Sequence, residues 1–157
     1  MPTLFKLNFY IFYMNSFHKG VGLIICNSAK TKFFIQQKDD LYPIEKWRNT
    51  FSFWGGAMEK SDISEKVALI REITEELFPP EMVLQKNWKY VDNYNITGDA
   101  NFIFSLFELK VNNAELIEIS KINVKEGKGK LMYLNEINTS TWIWNLEIAF
   151  HAYMKLK

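Results

Sequence analysis

Gly55-Gly56-Ala57-Met58-Glu59 and, fifteen residues past Gly56, Arg71-Glu72-Ile73-Thr74-Glu75-Glu76-Leu77 decide the reading of this chain. A glycine turn leads into a helix that carries three carboxylates and one arginine at helical spacing. At about 100° per residue, Glu72, Glu75 and Glu76 fall within one arc of roughly 100°. Glu65, two turns earlier, shares that face, and Ala68 leaves room beside it. The opposite arc collects Val67, Ile70, Ile73 and Leu77, the stripe expected to anchor the helix on a core. Arg71 stands one turn before Glu75 and can orient that carboxylate by a charge-assisted hydrogen bond. A solvated acidic helix face is the bland account. Against it, like charges three and four residues apart repel, with no lysine among them. The chain has only two arginines, Arg48 and Arg71, and one directly precedes the glutamates. The cluster wants a cation.

These residues resemble the Nudix box, G-x5-E-x7-R-E-U-x-E-E-x-G-U with U aliphatic, which marks hydrolases of nucleoside diphosphates linked to another moiety. Arg71 to Glu76 matches the R-E-U-x-E-E centre throughout. Gly56 plus five residues reaches an aspartate, Asp62, where the family has glutamate, and eight residues instead of seven separate it from Arg71. Phe78 and Pro79 occupy the final glycine and aliphatic slots. Asp62 shortens a side chain that the family uses in a supporting role. Pro79-Pro80 stops the helix near Leu77, because a residue before proline avoids helical dihedrals. None of these departures removes an expected metal ligand.

Composition fits one domain over residues 1–157 with a substantial core. Apolar residues make up 48% of the chain while Pro and Gly are scarce, which argues against wholesale disorder. A net charge of +1 gives no electrostatic reason to expect extended nucleic acid as a partner, and so disfavours decapping of RNA. A lone cysteine, Cys26, excludes an intramolecular disulfide framework and fits a reducing cytoplasm; its apolar neighbours mark it as a core thiol. Leu4–Met14 is apolar but too short to span a bilayer, lacks a small-residue cleavage site, and reads as a strand. No membrane partner is expected, and the chain reads as a monomer or homodimer. His18 and His151 are isolated and read as structural or exposed.

Gly20–Asn27 and Lys32–Gln37 read as strands joined by a turn at Asn27-Ser28-Ala29-Lys30. Lys38–Thr50 is a polar loop before a short strand, Phe51–Trp54. The box helix is expected from about Ser64 to Leu77, with Asp62 or Ser64 as N-cap. Trp88–Ile96 and Asn101–Val111 read as a hairpin around Thr97-Gly98-Asp99-Ala100. A strand near Lys130–Leu134 and a closing helix over Trp142–Leu156 complete the pattern. Strands in mixed order with two helices indicate α/β or α+β architecture. The resemblance implies a helix–sheet–helix sandwich with a mixed β-sheet.

The resemblance also implies Mg2+ or Mn2+ held by Glu72, Glu75 and Glu76. Glu126, in the loop Lys125-Glu126-Gly127-Lys128-Gly129, matches a slot in which many Nudix hydrolases carry a further metal ligand or base. A plain surface loop explains that segment as well, and Glu108 is the alternative carboxylate. Glu75, Glu126 and Arg71 are therefore the catalytic candidates, and a nucleoside diphosphate derivative is the expected small-molecule partner. Gly55 and Gly56 would let backbone approach the phosphates, with Glu59 supporting the loop. Lys38 and Arg48 could meet phosphates, and Trp47, Phe51, Phe53 or Trp54 could stack on a base. In some Nudix branches a residue roughly fifteen to eighteen positions past the box marks the substrate, proline for ADP-ribose and tyrosine for dinucleoside polyphosphates. Tyr94 lies near that window and no proline does. A Nudix-like nucleotide sensor without turnover is the competing class.

Overall fold

Val21 to Cys26 is almost uninterrupted apolar sequence, the pattern of a strand covered on both faces. In the computed structural model, which describes residues 18–156, this run is the centre of β1 (His18–Asn27). Leu23, Ile24, Ile25 and Cys26 are all fully buried, although they alternate between the two faces. Each such aliphatic side chain contributes about 1.5–3 kcal/mol of burial free energy. The expected strand Leu4–Met14 lies outside the described residues.

The further strands are β2 (Lys32–Gln37), β3 (Phe51–Ser52) and β4 (Trp54–Ala57). Helix α1 (Glu65–Glu76) follows, then β5 (Leu77–Phe78) and the single turn α2 (Glu81–Leu84). Next come β6 (Lys89–Ile96), β7 (Phe102–Val111), α3 (Asn113–Ser120), β8 (Asn123–Val124) and β9 (Lys128–Tyr133). The chain ends in α4 (Leu134–Asn138) and α5 (Glu147–Met154). The main sheet runs β3-β2-β1-β7-β6, with β4 added to β1 and β9 to β2. Among the described strands, β1 and β7 pair in parallel and the other strand pairs are antiparallel, so the sheet is mixed. One core cluster joins Ile24, Phe33, Phe53, Phe104 and Phe150 on the α5 side. The other joins Leu23, Ile25, Trp54, Leu69, Ile73 and Leu116 on the α1 and α3 side. Helices thus cover both sheet faces, the expected sandwich. Among the described residues, no helix is long and apolar enough to cross a membrane.

Three local expectations change. The stripe that anchors α1 is Ala68, Leu69, Ile73 and Leu77, all fully buried, whereas Val67 and Ile70 are partly exposed. The helix is rolled so that Leu69 and Ile73 enter the core, which carries Glu72 and Glu76 inward beside them. The closing segment is not one helix over Trp142–Leu156. A 3-10 turn at Ile143–Asn145 precedes α5, and Trp144 and Asn145 adopt left-handed φ values of 53° and 60° that interrupt it. Helix α3 is additional to those expected. The capping box between Asn112 and Glu115 starts it, a signal present in the sequence as Asn followed three residues later by Glu.

Candidate active site

The glycine turn sits on β4, packed directly against β1, with Gly55 opposite Gly22 and Gly56 opposite Val21. A Cβ on Gly55 would lie 2.1 Å from the Val21 carbonyl oxygen, and one on Gly56 would lie 2.7 Å from the Glu72 carboxyl carbon. Glycine here is therefore the space into which Glu72 fits. Ser64 caps α1, its hydroxyl accepting from the Val67 N–H at 3.2 Å, so Asp62 is released for another task.

That task is holding Arg71. Asp62 accepts from Arg71 Nε at 3.2 Å and Nη2 at 2.9 Å, and also accepts from the Glu59 N–H at 2.8 Å. Arg71 Nη1 lies 3.0 Å from Glu72, 3.4 Å from Glu75 and 3.5 Å from Glu59, while Nη2 donates to the Ala57 carbonyl at 3.1 Å. Burial disfavours the guanidinium's charge, but its bonds to Asp62 and the charge of Glu72 outweigh that and raise its pKa. Its hydrogen bonds in turn hold the Asp62 carboxyl below the usual carboxylate range. Arg71 thus organises four carboxylates, Glu59, Asp62, Glu72 and Glu75.

One pocket opens beside this array. Glu59, Glu72, Glu75, Glu76, Gly55 and Gly56 form one end, and Lys38, Tyr42 and Ser52 flank it. Gly20 and Val21 of β1 also line it, and the far end is apolar: Phe53, Phe102, Phe104, Ile143, Trp144 and Leu146. Phe53 stacks on Phe104 with ring centres 5.3 Å apart and packs against Trp142 at 4.8 Å. The structure therefore gathers Gly55, Gly56, Lys38, Phe53, Glu72, Glu75 and Glu76 at one cavity. Arg71 stands behind it, clamping the carboxylates.

Other candidates lie elsewhere. Arg48 does not line the pocket; its Nε donates to the Tyr42 carbonyl at 2.9 Å and braces the loop that carries Tyr42. Trp54 stacks under the sheet on Phe34, Trp47 packs on Trp144, and Tyr94 is half-buried against the core. Glu126 belongs to the loop after β8 and is not among the pocket-lining residues. That loop is pinned to the end of α1, where the Lys125 N–H donates to the Glu76 carbonyl at 2.8 Å, and to β2, where Gln36 donates to the Glu126 carbonyl at 3.2 Å. Glu108 is not among the pocket-lining residues; it is buried on the α5 side of the sheet, hydrogen-bonded by the Tyr153 hydroxyl. Sequence reasoning missed Tyr42, Phe102, Phe104 and Trp144, which come from separate segments and carry no local signature.

No protein-family model and no curated protein matches the sequence. Solved structures do match over nearly the whole chain. The NUDIX domain of Shewanella oneidensis NrtR complexed with ADP ribose superposes with a TM-score of 0.65 at 10% identity, covering 99% of this chain and 100% of that one. MutT from a study of Aliivibrio salmonicida and Vibrio cholerae gives 0.61 at 16% identity, covering 87% of this chain and 96% of its own. The chain has the Nudix fold. The dihydroneopterin triphosphate pyrophosphohydrolase of E. coli matches similarly, with a TM-score of 0.62 at 14% identity and coverage of 88% and 97%. At such identities it is the fold that is shared. Within it, the box-like segment of this chain occupies the glycine turn and α1, where the carboxylates and the pocket meet.

Proposed function

We propose that this protein is a divalent-metal-dependent hydrolase of the phosphoanhydride bond in a nucleoside diphosphate linked to another moiety. It would release a nucleoside monophosphate or a similar phosphate product. The observation that carries this reading is the pair Glu72 and Glu76, 7% and 2% exposed, both lining one pocket. Two carboxylates buried together repel unless cations share them. Arg71 is one such cation, ion-paired with Glu59, Asp62, Glu72 and Glu75.

The donor set suits Mg2+ or Mn2+, which take hard carboxylate oxygens together with waters and substrate phosphates. Glu72, Glu75 and Glu76 would hold the ion, with Glu126 as the further ligand or base. When bound, the ion neutralises the diphosphate oxygens and lowers the pKa of a bound water. The chain's own residues do the rest. Gly55 and Gly56 admit the phosphates beside the Glu72 carboxylate, and Lys38 offers an ammonium to a phosphate oxygen. Arg71 keeps the carboxylates aligned. Glu75, whose side chain is 44% exposed, or Glu126 takes the proton from the attacking water. Phe53 supplies part of the wall for the organic moiety. The fold is shared with structures named as a pyrophosphohydrolase and as an ADP ribose complex, which supports this class.

A nucleotide-binding sensor without turnover is the second reading. Among the described residues, no three acidic, His or Cys side chains converge tightly enough to enclose an ion by themselves. The test is a release assay over nucleoside diphosphate derivatives with Mg2+ or Mn2+, run in oxygen-18 water. We expect metal-dependent release with the label on a phosphate-containing product. Label on a released sugar would mean attack at carbon and would overturn these roles. Tight nucleotide binding without product would favour the sensor.

A further inference from the structure

Gln36 is a polar side chain among apolar neighbours. It follows Phe34 and Ile35 on β2, is 1% exposed, and shares a strand face with Phe34, which packs in the core cluster on the α1 side. Burying an amide is costly unless both of its ends are hydrogen-bonded. Here both are. Oε1 accepts from Lys38 Nζ at 2.9 Å, and Nε2 donates to the Glu126 carbonyl at 3.2 Å. The partners fix which end is which, since an ammonium only donates and a carbonyl only accepts. One bond ends on a residue that lines the pocket, and the other on the loop between β8 and β9.

That loop is seated on β2 at the same place. Gly127 adopts φ 69°, and a Cβ on it would lie 2.3 Å from the Gln37 carbonyl oxygen. Gln36 pairs with Gly129 of β9 on one side and with Ser52 of β3 on the other. The Lys38 backbone is held as well, its N–H donating to the Thr50 carbonyl at 2.9 Å. Its Nζ lies 5.5 Å from the centre of the Tyr42 ring. What freedom Lys38 keeps is in its flexible four-carbon stem, and fixing such a stem costs rotamer entropy. A neutral acceptor beside Nζ restrains the stem without cancelling its charge.

We propose that Gln36 is a positioning residue for the phosphate end of the pocket. Its amide holds the Lys38 ammonium where a phosphate oxygen is met, and leaves the full positive charge for that oxygen. It also ties the place of the ammonium to the loop that carries Glu126. A carboxylate at position 36 would hold the lysine but cancel its charge, and an apolar side chain would leave it unheld. This deepens the hydrolase reading and rests on Lys38 serving the phosphate end.

The test is calorimetric titration of inorganic pyrophosphate with Mg2+ on the wild type, Gln36→Met, Lys38→Met and the double variant, with the folding of each checked by denaturant unfolding. Methionine matches glutamine in length but offers neither an amide donor nor an oxygen acceptor. Gln36→Met should weaken pyrophosphate by roughly tenfold, the scale of one hydrogen bond to a charged group, and Lys38→Met by at least as much. The double variant should bind within about twofold of Lys38→Met, because the amide then has no ammonium to hold. A merely structural Gln36 would add its loss in full. Gln36→Glu should weaken pyrophosphate at least as far as Gln36→Met, since its charge cancels that of the lysine. Gln36→Asn, one methylene too short to span both partners, carries the same cycle if Gln36→Met does not fold. The proposal falls if the losses add, if folded Gln36→Met or Gln36→Glu binds within about twofold of wild type, or if the wild type binds no pyrophosphate. Hydrolysis of nucleoside diphosphate derivatives is scored separately. Turnover with additive losses sinks this inference alone, and the expected cycle without turnover sinks only the hydrolase reading.

Discussion

Glu108 and Glu76 are 7% and 2% exposed, yet their surroundings differ in kind. Glu108, on β7, accepts a hydrogen bond from Tyr153 on α5, with Lys110 Nζ at 3.7 Å. The Tyr153 hydroxyl also lies 3.5 Å from Cys26 Sγ. Burial raises the pKa of that phenol, and Cys26 and Glu108 raise it further, so it stays protonated and donates. Burial likewise raises the Cys26 thiol. This is a closed polar knot that fastens the C-terminal helix to the sheet. Glu76 instead lines an open pocket together with Glu59, Glu72 and Glu75, beside a glycine turn. Burial of a carboxylate therefore does not mark a reactive site by itself. A cavity, like-charged neighbours and room for a ligand distinguish the second case.

The sharpest way to break this contrast is to neutralise one member of each set. Glu76→Gln should lower turnover by roughly a hundredfold or more while the melting temperature holds or rises, because the amide removes charge without changing volume. Glu75→Gln should behave alike. Glu108→Gln, which still accepts from Tyr153, should leave turnover within about twofold. Wild-type rates in both pocket variants, or full activity in EDTA, would end the enzymatic reading.

Glu126 tests where the pocket set stops. If it serves as base or ligand, Glu126→Gln should lower kcat by about tenfold or more, with little change in substrate affinity and a displaced pH–rate profile. An unchanged profile makes the loop structural, held by its backbone bonds to Glu76 and Gln36.

On the structural side, Tyr153→Phe leaves Glu108 buried without its donor and should cost about 1–3 kcal/mol, read by denaturant unfolding, with activity retained. The smallest effect concerns Asp62. Its folded pKa is depressed by Arg71, so its contribution is present above the ordinary aspartate value, about 3.9, and disappears as pH falls through the lower folded value. Asp62→Asn should therefore melt below wild type at neutral pH, and the two curves should converge in strong acid. A gap that stays constant down to the acid limit would show that the Asp62–Arg71 bond is not the cause.

The strands of β1 and β2, the capped box helix and its carboxylates were legible because each depends on residues close in sequence. Periodicity of two or of 3.6 places side chains on faces, and Ser64 and Pro79 bound the helix chemically. Of the expected stripe, Ile73 and Leu77 are buried, but which residues complete it was not legible. Val67 and Ile70 are as apolar as Leu69, and only the shape of the sheet surface chooses between them. The break at Trp144 was hidden for a similar reason, since its cause is the bond from Asn145 to the distant Thr97 carbonyl and the space over Gly98.

The sequence by itself determined the acidic end of the pocket, because Gly55, Gly56, Arg71 and the glutamates of one helix meet through a single turn and a single helical repeat. Only the tertiary structure decided the other end. Phe53, Phe104 and Trp144 lie on a strand junction, a hairpin and a C-terminal turn, and they converge only when the C-terminal segment packs on one face of the sheet. Local geometry propagates along the backbone by fixed dihedral rules. Long-range packing is a global optimum of burial, and no short stretch of sequence encodes it.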